Sequence, residues 1–128
     1  MTRRTADLPT DSELEILSVL WHRGPSTVRE VYRELCATRD VGYSTVLKFM
    51  QIMTSKGSLV RNAAVRPQVY RPARSQRQTQ QGIVRDLASR AFGGSPGRLA
   101  IQALSSKKAT REERRRIREL LDQIEGKT

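Results

Sequence analysis

This chain is poor in the residues that usually carry chemistry. Its 128 residues include one cysteine, Cys36, and one histidine, His22. A lone cysteine cannot close an internal disulfide, and the pair offers no closed zinc site. Aromatic residues are only 5% of the chain. That argues against a reader of single-stranded RNA, which stacks bases on exposed rings. No run approaches the ~20 continuous apolar residues of a membrane helix. Met1 to Asp7 is short and polar, without an apolar stretch, so no signal peptide and no membrane insertion are expected. The chain reads as cytoplasmic. Acidic residues are scarce as well: 13 Asp+Glu face 24 Lys+Arg, a net charge of +11. The carboxylates lie scattered among basic residues and define no acid/base pair. Gly93-Gly94-Ser95-Pro96-Gly97 lacks the Lys-Ser/Thr of a phosphate loop and reads as a hinge. No enzyme, metal or cofactor is expected.

What is present is charge and helical periodicity. A +11 balance points to a polyanionic partner, although a basic surface also serves solubility. Residues 1–72 carry +4 and residues 73–128 carry +7. Both parts keep apolar periodicity, so both are expected to fold. Thr10-Asp11-Ser12-Glu13 is a capping box, in which hydroxyl and carboxylate satisfy each other's exposed backbone N–H groups. Leu14, Leu17, Leu20 and Trp21 follow at helical spacing, and Gly24-Pro25 stops the helix. Thr27-Val28-Arg29-Glu30 opens a second helix with Val28, Val31, Tyr32 and Leu35 on one face. A third runs from about Tyr43 to Lys56, with Val46, Phe49, Met50 and Met53 as its stripe and Gly57 as its stop. His22 reads as a helix-end cap favoured by the dipole, and Cys36 as a small packed residue or an idle thiol.

The period then changes. Residues 58–62 and 68–71 are short strands around a loop at 63–67, a β-hairpin that Pro72 ends. In the second strand Val69 alternates with Gln68 and Tyr70. Residues 73–92 are helical again, with Ile83, Val84, Leu87, Ala88 and Ala91 on one face. The polar start of this stretch, Ser75 to Gln81, leaves a linker open as the alternative to helix, with Gly82 a further weak point. Leu99, Ile101 and Leu104 suggest a short helix. A third capping box, Thr110 to Glu113, opens a last helix striped by Ile117, Leu120, Leu121 and Ile124.

Three helices and a hairpin predict a mainly α fold: a winged helix-turn-helix, residues 1–73, followed by a helical dimerisation segment, residues 74–128. A helix is narrow enough to enter the major groove of DNA. Two supporting helices bury its back and set its angle, and the hairpin lies beside it. On the third helix Ser44, Thr45, Leu47, Lys48 and Gln51 face outward, near the N-terminal half where recognition helices touch bases. Arg61, Arg66 and Arg71 sit on the hairpin within reach of backbone phosphate. The same element order also serves protein-binding modules. A charged helix face carries a Lys and a Gln routinely.

"LPTDSELEILSVLWHRGPSTVREVYREL", "VGYSTVLKFMQIMTSKGSLVR" and "PQVYRPA" together resemble the penicillinase-repressor (BlaI/MecI/CopY) family over nearly the whole chain. The most specific parts are E-x-x-x-L-x-x-L-W at Glu13–Trp21, Y-S-T-V at Tyr43–Val46, K-G at Lys56–Gly57 and V-Y-R-P at Val69–Pro72. The resemblance implies a homodimeric transcriptional repressor on inverted-repeat operators in double-stranded DNA. It implies DNA contact at Ser44, Thr45, Leu47 and Lys48, with Arg66 on the wing. The dimer surface would draw on Ile83, Val84, Leu87, Ile101, Leu104, Ile117, Leu120, Leu121 and Ile124. A membrane sensor peptidase encoded nearby is a further candidate partner. Three departures stand out. Ile52 occupies a position where family members often carry Arg. Gln102-Ala103 stands where antibiotic-responsive members are cleaved at Asn-Phe. The cysteine cluster of copper-responsive members is missing. Arg111, Arg114, Arg115, Arg116 and Arg118 make the last helix unusually basic. They read as a solvated face, as extra phosphate contacts, or as a site for an acidic protein partner.

Overall fold

A computed structural model describes residues 8–126. The Met1–Asp7 stretch, read above as lacking a leader, lies outside the described residues. The elements run α1 (Asp11–Arg23), α2 (Val28–Cys36), α3 (Tyr43–Lys56), β1 (Leu59–Asn62), β2 (Val69–Pro72), α4 (Gln76–Ala91), α5 (Pro96–Ser106) and α6 (Arg111–Ile124). This is a mainly helical chain with one small antiparallel hairpin, as a winged helix-turn-helix requires. Among the described residues no helix is long and apolar enough to cross a membrane. Two compact units divide it, Met1–Asp86 and Leu87–Thr128.

The first unit is built by local rules that the sequence shows openly. Thr10 Oγ1 accepts from the Glu13 backbone N–H at 3.2 Å, and Glu13 Oε1 accepts from Thr10 N–H at 3.1 Å. Thr27 and Glu30 repeat the exchange at 3.1 and 2.9 Å. The Thr27 backbone N–H in particular, with Arg23 nearby, holds the Glu30 carboxyl below the usual carboxylate range. Each box satisfies two of the backbone donors that a helix start leaves unpaired. At the far end of α3, Gly57 takes φ +86°, a left-handed conformation that a Cβ disfavours. The chain reverses there and enters β1 two residues later, which sets the hairpin directly beside α3.

One core joins the three helices to the hairpin. It holds Ile16, Leu17 and Leu20 from α1, Val28, Val31 and Leu35 from α2, and Val46, Met50 and Met53 from α3. Leu59 and Tyr70 seal it from the hairpin. Ile16 is fully buried, whereas Leu14, Trp21, Tyr32 and Phe49 only pack against the core's edge. The α1 stripe is therefore rotated by about one position from the one expected. The hairpin pairs Leu59 with Pro72 and Arg61 with Tyr70 on one face, and Val60 with Arg71 and Asn62 with Val69 on the other. Its buried aromatic is Tyr70, and Val69 is half-buried on the opposite face.

Some long-range contacts lie outside any local pattern. Ser26, fully buried, bridges Tyr70 through paired backbone hydrogen bonds of 3.0 and 2.8 Å. The turn between α1 and α2 thus adds a third strand-like segment to the hairpin. Glu13 is 4% exposed and accepts from Lys56 Nζ at 3.0 and 3.1 Å. This ion pair ties the start of α1 to the end of α3.

Cys36 corrects the packed reading. It is exposed, with its thiol 3.6 Å from the Val41 carbonyl, because α2 ends there and the chain turns away from the core. The polar start of the 73–92 stretch is helical from Gln76, not a linker. Ser75 and Gln78 form a fourth reciprocal cap, with bonds of 2.9 and 3.1 Å. Trp21 Nε1 donates to the Arg74 carbonyl at 3.3 Å, pinning the approach to α4 against α1.

The second unit takes in the end of α4, then α5 and α6. Ser95 caps α5 through the Arg98 N–H at 3.1 Å, and Thr110 and Glu113 cap α6 reciprocally. Neither α5 nor α6 contains a buried residue.

Candidate nucleic-acid interface

The amphipathic pattern of α3 decides its two faces. Val46, Met50 and Met53 recur at the helical repeat and are 0–1% exposed. The opposite face carries Ser44, Thr45, Lys48 and Gln51, all exposed. At one helical turn or less apart, these four form a continuous polar strip starting in the first turn. Ile52, where an arginine was expected from the resemblance, is exposed on the same side at 41%. Leu47 departs from the outward reading. It is half-buried and packs against the core, because its position lies on the flank between the two faces.

The hairpin stands next to α3, and its arginines are separated by the pleat. Arg61 shares a face with buried Tyr70, at the outer end of the strand where no core remains to cover it. Arg71 points to the other face, opposite Val60. Arg66 is exposed at the loop and donates to the Ala63 carbonyl at 3.0 Å.

A groove of about 510 Å³ runs between α2, α3 and the hairpin. Thr27 lines it from the cap of α2, Arg29, Glu30 and Arg33 from α2 itself, Tyr43 and Leu47 from α3, and Pro67, Gln68 and Tyr70 from the hairpin. Tyr43 meets Tyr32 edge-on at a centroid distance of 5.6 Å, and the Arg29 guanidinium lies 4.9 Å over the Tyr43 ring. That contact holds a cation at the mouth of the groove. Arg29, Arg33 and Tyr43 were not among the expected site residues. Helical spacing puts Arg29 and Arg33 four residues apart on α2, away from its apolar stripe, and that signal was available. Their meeting with Tyr43 required the packing of α2 on α3. Among the described residues no cluster of His, Cys, Asp or Glu is arranged to hold a metal ion.

The expected dimerisation residues fall elsewhere in the chain. Val84 and Leu87 on α4, Ile101 and Leu104 on α5, and Leu120, Leu121 and Ile124 on α6 are exposed, from 38% at Leu87 to 72% at Ile124. Ile83 and Ile117 are half-buried. On α6, Arg115 pairs with Glu112 and Glu119 one turn to either side, and Arg114 donates to the Ala109 carbonyl at 2.7 Å.

Comparison with known proteins agrees with this architecture. A family profile described as penicillinase repressor matches residues 9–123. Two proteins called transcriptional regulator BlaI, from two strains of Mycobacterium tuberculosis, are each 30% identical over 82 residues. Those alignments span 63% of this chain and 59% of the relatives' length. With a match over nearly its whole length, the chain belongs to the penicillinase repressor family, a family of transcriptional regulators.

Proposed function

We propose that this protein is a transcriptional repressor that binds operator DNA sequence-specifically as a homodimer. The observation that carries the reading is the division of α3: one face locked in the core, the other an exposed strip of Ser44, Thr45, Lys48 and Gln51 beside a basic hairpin. In this reading residues 1–73 hold DNA and residues 74–128 pair two copies. Ser44, Thr45, Lys48 and Gln51 read base edges in the major groove, with Leu47 at the flank available to a thymine methyl. Arg61 and Arg66 on the wing, with Arg29 and Arg33 on α2, contact backbone phosphates and fix the register. The half-sites lie about one helical turn apart, roughly 34–36 Å.

Pairing follows from the lack of a buried face on α5 and α6. α5 and α6 each carry an apolar stripe, yet neither buries one residue. Such a surface is stable in water only when something covers it. A second copy is self-complementary by symmetry and matches an inverted-repeat site. Replacing Leu120 and Ile124 by Asp is expected to convert the dimer to monomer. Sedimentation equilibrium would show it as a halved mass, and an unchanged mass would reject this interface.

Base contact is tested at Lys48. Lys48→Ala is expected to weaken operator binding by about 5- to 150-fold for each half-site, the loss of one good contact worth about 1–3 kcal/mol in each copy. Its exposure means the fold should tolerate the change within about 0.5 kcal/mol. Selection from a random DNA pool followed by gel-shift titration checks both parts. If the wild-type chain enriches no sequence over random DNA, the proposal fails. The acidic-partner reading of α6 is weaker, because Arg115 is already matched by Glu112 and Glu119 within the helix.

A further inference from the structure

The first unit carries a second concavity that the DNA reading does not use. It is a cleft of about 390 Å³ between the lead into α1, the base of β1 and the first turns of α4. None of its lining residues is shared with the groove between α2, α3 and the hairpin. Its apolar wall is made by Leu8, Pro9 and Leu17, and by Gly82, where the missing side chain leaves the helix surface bare. Its polar side has Ser58, Gln78 and Thr79, and its rim has Arg74 and Arg85. Among the described residues no acidic side chain lines it. Among the described residues, neither arginine's guanidinium takes part in an ion pair or hydrogen bond.

We propose that this cleft binds a small organic carboxylate with a short apolar body. Two guanidinium groups with no acidic partner among the described residues attract an anion, and their planar fork suits a carboxylate. The apolar wall selects a molecule with a hydrocarbon part over a bare inorganic ion. The volume is near the lower end for small-molecule sites, which fits a ligand of modest size. Duplex DNA is excluded by shape, since a rigid rod cannot enter a concave cleft of this volume. The Gln78 side-chain oxygen already accepts from the Ser75 N–H, so its NH₂ group is the end left to donate to the ligand. An occupant touches α1, the foot of the hairpin and α4 at once. Binding is therefore linked to how α4 is held against this unit.

The test is titration of the isotope-labelled full chain with hexanoate, benzoate and N-acetyl-L-leucine, followed by NMR. The matched amides and inorganic phosphate serve as controls. At least one carboxylate is expected to shift the Thr79, Gly82 and Arg85 amide signals saturably. Binding should be at least tenfold weaker for the matched amide and for phosphate. The double change Arg74→Ala and Arg85→Ala should abolish it. Gly82→Ala gives a second variant that keeps the fold, because an added Cβ meets only Leu8 Cδ2, at 3.8 Å. Its methyl narrows the cleft and should weaken the carboxylate. Saturation by none of the three carboxylates overturns the proposal, and so does equal binding of the amides. Phosphate binding as well as the best carboxylate would reduce the cleft to a plain anion site and overturn it too. None of these readouts involves DNA, so they stand or fall separately from the repressor reading.

Discussion

Raising salt from about 50 to about 200 mM is expected to weaken operator binding by roughly 10³- to 10⁵-fold. The size follows from counting phosphates. In the proposed dimer each copy would bring Arg29, Arg33, Arg61 and Arg66 to the phosphates, and two copies would double that set to eight. If most of these neutralise phosphates, within the range of about 6–10 contacts, the released counterions give that steep dependence. Fluorescence anisotropy with a selected operator, repeated at several salt concentrations, measures the slope. A flat response would remove phosphate contact from the mechanism. The slope should also fall by about one per removed phosphate-contacting residue per protomer, whereas a base-reading change should alter sequence preference more than slope.

Met50→Ala is expected to destabilise the first unit by about 2–5 kcal/mol. Met50 is fully buried in the core that α1, α2 and α3 share, so truncation leaves a cavity that the surrounding core fills only in part. Small domains rest on about 5–15 kcal/mol in total, so this is a large share. Urea unfolding monitored by Trp21 fluorescence reads it as a lowered midpoint. A change under about 1 kcal/mol would show that the core is not organised around α3. Lys48 lies two residues away on the same helix, and its replacement should leave that midpoint unmoved. The pair separates the helix's buried face from the face proposed to meet DNA.

Much of this was legible because it is local. Thr10/Glu13, Thr27/Glu30 and Thr110/Glu113 act over three residues, and all three form the caps their spacing announces. Gly57 closes α3 in the left-handed conformation for the same reason. Ser75/Gln78 obeys the identical rule and was open to the same reading. It was obscured by the polar run that follows, where no apolar stripe supports a helix. Ser44, Thr45, Lys48 and Gln51 were legible as an outward strip once Val46, Met50 and Met53 were assigned inward. Leu47 was not, because a residue on the flank of a helix is buried or exposed according to its neighbours, here the core that it packs against.

Helix starts and stops, the hairpin and the polarity of α3 follow from the amino-acid order alone, since each depends on residues within a turn or two. Tertiary packing alone decided three other features. It brought Glu13 to Lys56 across 43 positions of chain, Ser26 to Tyr70, and Arg29 over Tyr43. Such meetings depend on how helices cross and where loops return. Those choices are made by the shape of the whole core, and no short window of sequence contains it.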